Sequence, residues 1–500
     1  MRTLSKSKLV AYLQCQKRLW LEIHHPELSE DSRQTAAAFA VGNTVGAVAR
    51  KIYDPEGQGT ALEIGREGVE GAITRTKELL SKPYPVFEAG FMANGALAFA
   101  DVLLPGSKDG AINWRMVEVK ASTSVKDYHH DDIAVQSYVA RKAGVPLSAV
   151  ALACIDSDWV YPGGEDYQGL LVEKDMTDEA FGRTEEVEGW ITEAHTVADK
   201  GTEPEIRTGP HCSTPFECSF LSYCKGQEPQ PKHPASWLPR IQSKPLRALI
   251  YDDGVCELGE VPDDLLNERQ LRVKTHTLAQ TTYFDAKGAA ADLAPHGFPA
   301  YFMDFETTSF AVPVWKGTRP YQQIPFQFSI HMLSKSGKLD HQAFLDLSGS
   351  DPSKSFADAI VAACGDGGPV YAYNASFEAG CLKDLAGRFP SLQKPLISIV
   401  GRLVDLLHVA ERRYYHPSQE GSWSIKAVLP AIAPDLNYRQ LDGVRDGEMA
   451  MSAYLEAIQS NALPERREKI RQELLDYCRL DTYAMVRLWQ HFAGRHDLRL

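Results

Sequence analysis

Strand-like and helix-like runs follow one another along this chain, and their periods mark out its domains. ALAFADVLLP and WRMVEVKAS are strand-like and flank GSKDGAIN, whose Asp109-Gly110 is a hairpin-turn signal. Further on, IPFQFSIHML and HQAFLDL alternate as strands, and GPVYAYN predicts another strand leading into a helix that begins near Asn374. SKLVAYLQCQKRLWLE, AFAVGNTVGAVA, DIAVQSYVARKAG and QELLDYCRLDTYAMVRLW carry helical periodicity. Between the halves, KGQEPQPKHPASWLP is polar and proline-rich and predicts a linker. The stretch from 237 to 297 predicts a short strand pair around RALIYDDGVCELGEVP and a helix in DDLLNERQLRVKTHTLAQ, a small connecting module without a chemical motif. The expected organisation is α/β, with domains at 1–228 and 298–500 joined by 229–297, and no internal repeat.

The C-terminal domain carries the clearest chemistry. Asp304 and Glu306 in YFMDFETTSF are two apart, so on a strand they point to one side. Tyr477 and Asp481 in DYCRLD are four apart and share a helix face. YNASFEAG adds Asn374 and Glu378. Four carboxylates, Asp304, Glu306, Glu378 and Asp481, suit a pair of divalent ions about 3.5–4 Å apart, which activate water and stabilise the leaving oxygen of a phosphate ester. A DFE tripeptide alone is better read as a strand end with solvated acids; the ordered trio is not.

The succession D-x-E, N-x-x-F-E and Y-x-x-x-D resembles the three exonuclease motifs of the DEDD (DnaQ-like) superfamily in its tyrosine-bearing subgroup. Over about 298–500 the resemblance implies an RNase H-like mixed sheet. It also implies that Asp304, Glu306, Glu378 and Asp481 hold Mg²⁺ or Mn²⁺, that Tyr477 positions the attacking water, and that cleavage starts from 3′ ends. The family usually has Asp where Glu378 stands. Asn374 could cap its helix. Arg412, Arg413, Tyr414, Tyr415, His416 and Lys426 suit either phosphate and base contacts or a solvated loop, while Asp405 fits a structural role.

In the N-terminal half, a hairpin centred on Asp109-Gly110 sets Asp101 opposite Glu118, and Glu118 and Lys120 share that face. Two carboxylates with a lysine bind one or two Mg²⁺ ions, orient water and stabilise phosphorane charge; alone, EVK is an ordinary exposed strand. The following helix offers Gln136 and Tyr138, and Glu88 in PVFEAGF fits either a further acid of the site or a solvated strand end.

Nine cysteines in a chain without a signal-peptide pattern argue against a disulfide framework. Cys212, Cys218 and Cys224 cluster in HCSTPFECSFLSYC, and Cys15 lies far upstream. Four thiolates suit zinc or a 4Fe-4S cluster; the five-residue gaps lean towards iron and sulfur, because zinc sites favour closer pairs. Unrelated buried cysteines are the plain alternative.

Asp101, Glu118-x-Lys120 and Gln136, framed by one leading and three trailing cysteines, resemble the PD-(D/E)XK nuclease motif in its RecB-like form, as in AddB-type and CRISPR-associated RecB-like exonucleases with iron-sulfur clusters. The resemblance covers about 1–228 and implies a restriction-endonuclease-like domain with metal on Asp101 and Glu118. It also implies a 4Fe-4S cluster on Cys15, Cys212, Cys218 and Cys224 that pins the C-terminal segment of the domain to its first helix. The usual C-x-x-C start of the triplet is replaced by a gap of five, AFAVGNTVGAVA has no histidine, and Gln136 lacks the usual Tyr four residues on. The two-domain layout as a whole resembles RecB-family nucleases.

A length of 500 residues suits two or three domains, and 44% hydrophobic residues suit a globular protein. No run reaches about 18 uninterrupted apolar residues, so a cytoplasmic protein without membrane contact is expected. The formal charge of -13 opposes broad attraction to nucleic acid, which leaves local grooves and bound metals to provide it. The expected function is a metal-dependent nuclease with two sites, with DNA favoured over RNA as partner. The rival expectation is a nucleic-acid-binding scaffold in repair, processing or defence with one or both sites degenerate.

Overall fold

Asp109 and Gly110 form the tip of a β-hairpin with φ angles of 53° and 80°. Two successive positive φ values belong to the turn whose twist matches its flanking strands, and Asp-Gly is a favoured pair for it. In the computed structural model, which describes residues 2–30 and 33–498, this hairpin sits inside the first of two units of mixed α/β structure. One unit comprises Met1–Pro229 and Phe310–Gln322, the other Gln230–Ser309 and Gln323–Leu500.

The first unit is built on the strands Leu4–Ser5 (β1), Thr60–Ala61 (β2), Val86–Ala93 (β3), Ala96–Lys108 (β4), Ala111–Lys120 (β5), Leu147–Ile155 (β6) and Leu171–Asp175 (β7). Their order is β2-β3-β4-β5-β6-β7, with β1 against β4. The β4–β5 register runs from Lys108↔Ala111 to Val102↔Val117, so the next pair inward is Asp101 and Glu118. β5 and β6 are parallel, which demands a crossover; the helix Asp127–Lys142 supplies it. That helix buries Ile133, Ala134, Tyr138 and Val139 in a core shared with Trp114 and Met116. SKLVAYLQCQKRLWLE is not one continuous helix. Cys15, extended at φ -164° and ψ 121°, divides it into Lys6–Gln14 and Gln16–His24. Phe310–Gln322 belongs here because Ala311 and Val312 pack with Val45, Val48, Ile155 and Leu170.

The second unit contains Tyr283–Phe284 (β8), Ala300–Thr308 (β9), Ile324–Leu333 (β10), Leu339–Leu345 (β11), Val370–Ala372 (β12), Leu403–Asp405 (β13) and Tyr414–Tyr415 (β14). β8 pairs with β14, and the main sheet has the order β11-β10-β9-β12-β13. Its first three strands are antiparallel and its last two join in parallel. Along β9, Tyr301, Met303 and Phe305 enter a core with Phe356, Ile360, Leu382 and Leu385. Phe305 and Phe356 meet edge to face at 5.0 Å, a geometry that adds about 0.5–1.5 kcal/mol beyond area burial. The alternate residues Phe302 and Asp304 face the last helix, Pro464–Phe492: Phe302 packs on Trp489 at 5.9 Å and Asp304 lies beside Cys478.

Residues 230–297 are part of this second unit and not a separate connector. The helix Glu268–Ala279 opens on an Asn267/Gln270 capping box. It is tied down by Arg269, which donates twice to Glu411 at 2.9 Å, and by Thr277, hydrogen-bonded to the Tyr415 hydroxyl at 2.7 Å. The expected strand pair near RALIYDDGVCELGEVP does not form. Lys244–Arg247 and Ala248–Asp252 are helical, helped by Pro245 in the first turn, and one isolated bridge joins Pro234 to Glu257. Among the described residues no helix is long and apolar enough to cross a membrane.

A side chain at Gly110 meets no atom within 4 Å, so Gly110→Ala is strained only through its φ of 80°. The substitution is expected to cost about 1–2 kcal/mol, read as faster amide hydrogen exchange along β4 and β5 with no change in exchange along β9.

Candidate active site

In the second unit three elements bring carboxylates together. β9 provides Asp304 and Glu306 through its period of two, the helix Pro464–Phe492 provides Tyr477, Cys478 and Asp481 at helical spacing, and the helix Ser376–Arg388 provides Glu378 from its first turn. Glu306, Glu378 and Asp481 are buried. Burial raises Asp304 well above the usual carboxyl range, and the neighbouring charges of Asp481, Glu306 and Glu378 raise it further. Burial, then Asp481, pushes Glu306 up to about 8. Burial likewise carries Glu378 to about 8 and Asp481 to about 6. All four acids predicted from the motifs therefore lie within one electrostatic neighbourhood.

Their hydrogen bonds leave oxygens free. Asp481 accepts from the Tyr438 hydroxyl at 2.5 Å and also from Tyr477. Glu378 is 3% exposed and its Oε2 has no partner, a costly state for a buried carboxyl oxygen. Lys426 lies over the Tyr438 and Tyr477 rings, 5.2 and 5.4 Å from their centroids, and its charge favours the ionised forms of Glu306 and Asp481. The ligand atoms of Asp304, Glu306 and Cys478 lie within 4.8 Å of one another. This donor set of clustered, under-bonded carboxylates fits a divalent cation.

Several expectations change with these surroundings. Asn374 is not the helix cap; it is left-handed at φ 74°, and Ala375 holds the cap position. Asp405 organises this turn by accepting from the backbone N–H groups of Asn374 and Ala375 at 3.0 and 3.2 Å. The basic and aromatic run at 412–416 is only partly open, with Arg412 exposed. Arg413 is paired with Asp285 and Asp292, and Tyr414 and Tyr415 are buried. Tyr438 and Cys478 were missed. Cys478 was detectable, three residues before Asp481 on the same helix face, whereas Tyr438 in DLNYRQ carries no local signal.

The first unit brings together Asp101, Glu118 and Lys120, as predicted from the hairpin, and adds two residues that were not. Lys120 Nζ donates to Glu118 Oε1 at 2.8 Å and also to Asp132. Lys6 Nζ reaches Glu118 at 2.8 Å and Asp132 at 3.1 Å. Asp101 accepts from the Val119 N–H at 2.7 Å. Burial, Glu118 and the opposing lysines act on Asp101 together, and its carboxyl ends well above the usual range. Burial alone would raise Asp132, but Lys6 and Lys120 outweigh it and hold it below that range. Glu118 Oε2 is buried without a partner. Gln136, four residues after Asp132, is fully buried and donates from Nε2 to the Phe99 carbonyl; none of its hydrogen bonds goes to the acids. Glu88, at φ 56° on β3, lies near enough for its charge to interact with Glu118 and Lys6.

Cys15, Cys212, Cys218 and Cys224 line one cavity, together with Lys17, Arg18 and His211. Burial pushes the Cys224 thiol up to about 11, with Lys17 opposing, and also raises Cys212 and Cys218.

The second unit's acids make its stability depend on pH in a defined direction. Glu306 and Glu378 titrate near 8 when folded, against about 4.5 when unfolded, so the folded state holds more protons between these values and loses stability as pH rises through them. With a chelator present, the thermal midpoint is expected to fall from pH 5 to pH 8, and added Mn²⁺ is expected to raise it more at pH 8 than at pH 5. A midpoint flat with pH and indifferent to Mn²⁺ would contradict the clustering.

A family profile described as Domain of unknown function (DUF2779) matches residues 301–424. The matched segment contains Asp304, Glu306, Glu378 and Asp405, while Lys426, Tyr438, Tyr477, Cys478 and Asp481 lie beyond it. No curated protein matches the chain.

Proposed function

We propose that this protein is a divalent-metal-dependent nuclease whose principal centre is the carboxylate cluster of the second unit. The observation that carries this reading is the convergence of Asp304, Glu306, Glu378 and Asp481, with one unpartnered buried oxygen on Glu378. The sheet order β11-β10-β9-β12-β13, antiparallel and then parallel, is the arrangement an RNase H-like exonuclease domain requires, and it supports the resemblance to the DEDD superfamily. In the first unit, the antiparallel β3-β4-β5 sheet followed by a crossover helix to parallel β6 supports a PD-(D/E)XK-like core.

Asp304, Glu306, Glu378 and Asp481 would hold Mg²⁺ or Mn²⁺, which supplies an activated water and charge neutralisation at the phosphate. Tyr477, hydrogen-bonded to Asp481, orients the nucleophile. Lys426, whose charge acts on Glu306 and Asp481, offsets negative charge on the scissile phosphate. The reading takes DNA as substrate before RNA, with attack from 3′ ends. A 4Fe-4S cluster on Cys15, Cys212, Cys218 and Cys224 is supported by their shared cavity; it would join the break between the first two helices to the segment around 212–224.

A second reading applies to the first unit alone, as a nucleic-acid-binding scaffold. One observation favours it: Lys6 and Lys120 ion-pair with Glu118 and Asp132, so three carboxylates with Asp101 face two ammonium groups. Among the described residues, the second unit sets four carboxylates against the charge of Lys426, a much stronger attraction for a divalent ion.

End-labelled single-stranded DNA and RNA, with Mg²⁺ or Mn²⁺, test both readings through Asp304→Asn, Lys120→Ala and the double variant. Asp304→Asn is expected to lower 3′-end trimming at least about 100-fold, with Lys120→Ala within a few-fold of wild type. Equal loss in Lys120→Ala would move the principal centre to the first unit, and no degradation by wild type would leave the scaffold reading. Tyr477→Phe is expected to lower the rate about 10- to 100-fold while leaving Mn²⁺ affinity unchanged by calorimetry.

A further inference from the structure

We propose that Cys478 is a sulfur donor to the metal held by Asp304 and Glu306, so that this centre favours a thiophilic divalent cation over magnesium. The proposal rests on the reading of Asp304 and Glu306 as metal ligands.

The argument begins with position. Cys478 lies one residue after Tyr477 and three before Asp481, on the face of the helix Pro464–Phe492 that meets β9. Its thiol donates to Asp304 Oδ2 at 3.7 Å and to the Asp304 carbonyl oxygen at 3.8 Å; a metal taken up between Sγ and Oδ2 replaces the thiol proton, which passes to solvent. Oxygen and sulfur ligands on one zinc-like ion, with bonds of about 2.0 and 2.3 Å at a tetrahedral angle, are about 3.5 Å apart. The observed pair is within a few tenths of an ångström of that spacing, and Glu306 completes a trio within 4.8 Å.

A fourth group points to the same ligand. Glu378 is 3% exposed with Oε2 unpartnered, and its charge acts on both Asp304 and Glu306. The contrast with Cys364 is direct. Cys364 is buried in the apolar core with Phe356 and Ile360, where a small hydrophobe suffices, and Cys381 in the same core feels Glu378 and Asp384. Cys478 is equally buried and feels Asp304, Glu306 and Asp481 together. A filler there would favour a residue without a polarisable sulfur; a ligand would favour the sulfur itself, since thiolate selects zinc, cadmium and similar ions against hard magnesium.

The test uses the full-length protein, depleted of metal and loaded with ¹¹³Cd²⁺, with ¹¹³Cd NMR as the readout. A resonance displaced downfield of the all-oxygen range is expected in wild type, moving into that range in Cys478→Ser and vanishing in Asp304→Ala. Cadmium on Cys15, Cys212, Cys218 and Cys224 would give a separate line further downfield that neither variant moves. By competition, the zinc-to-magnesium affinity ratio is expected to fall at least about 10-fold in Cys478→Ser; Cys478→Ala repeats the comparison should the serine variant misfold. An Asp304-dependent resonance already in the all-oxygen range and unmoved by Cys478→Ser would overturn the sulfur ligand alone. No resonance responding to Asp304→Ala would overturn the metal reading beneath it.

Discussion

The burial of several carboxyls together, with their mutual repulsion second to it, is the constraint that organises the second unit. Two unit charges about 4 Å apart at an effective dielectric near 20 repel by about 4 kcal/mol, and Asp304 experiences Asp481, Glu306 and Glu378 at once. The fold contains this repulsion by keeping acids protonated to unusually high pH, by hydrogen bonds from Tyr438 and Tyr477 to Asp481, and by Lys426. A divalent cation removes it directly. The opposite face of β9 is locked into aromatic packing through Phe305 and Phe356, so the strand cannot turn its acids out to water without losing that core.

The first unit handles the same problem differently. Lys6 and Lys120 meet Glu118 and Asp132 through charge-assisted hydrogen bonds, and these charges are largely satisfied within the protein. A metal entering there would displace ammonium groups already in place, whereas in the second unit it would meet clustered carboxyls with Lys426 as their cationic neighbour.

What could be read in advance followed short-range geometry. Asp304 and Glu306 obey a strand's period of two, Tyr477 and Asp481 a helical turn, and Asp101 and Glu118 the symmetry of a two-residue turn at Asp109-Gly110. Partners brought in from distant segments could not be read. Lys6 reaches Glu118 and Asp132 from the start of the chain, and Tyr438 reaches Asp481 across 43 positions. The run at 412–416 fitted a binding surface and a solvated loop equally well, because composition does not reveal that Asp285, Asp292 and Thr277 engage Arg413 and Tyr415. Cys15 was expected inside a helix from periodicity, which is insensitive to a single extended residue.

Anomalous diffraction at the manganese edge, from crystals of the full-length protein equilibrated with Mn²⁺, tests the central claim most directly. The reading requires anomalous density within bonding distance of Asp304, Glu306 and Asp481, with Glu378 Oε2 drawn towards it. Crystals that show ordered Mn²⁺ elsewhere but none among these four carboxylates would contradict it.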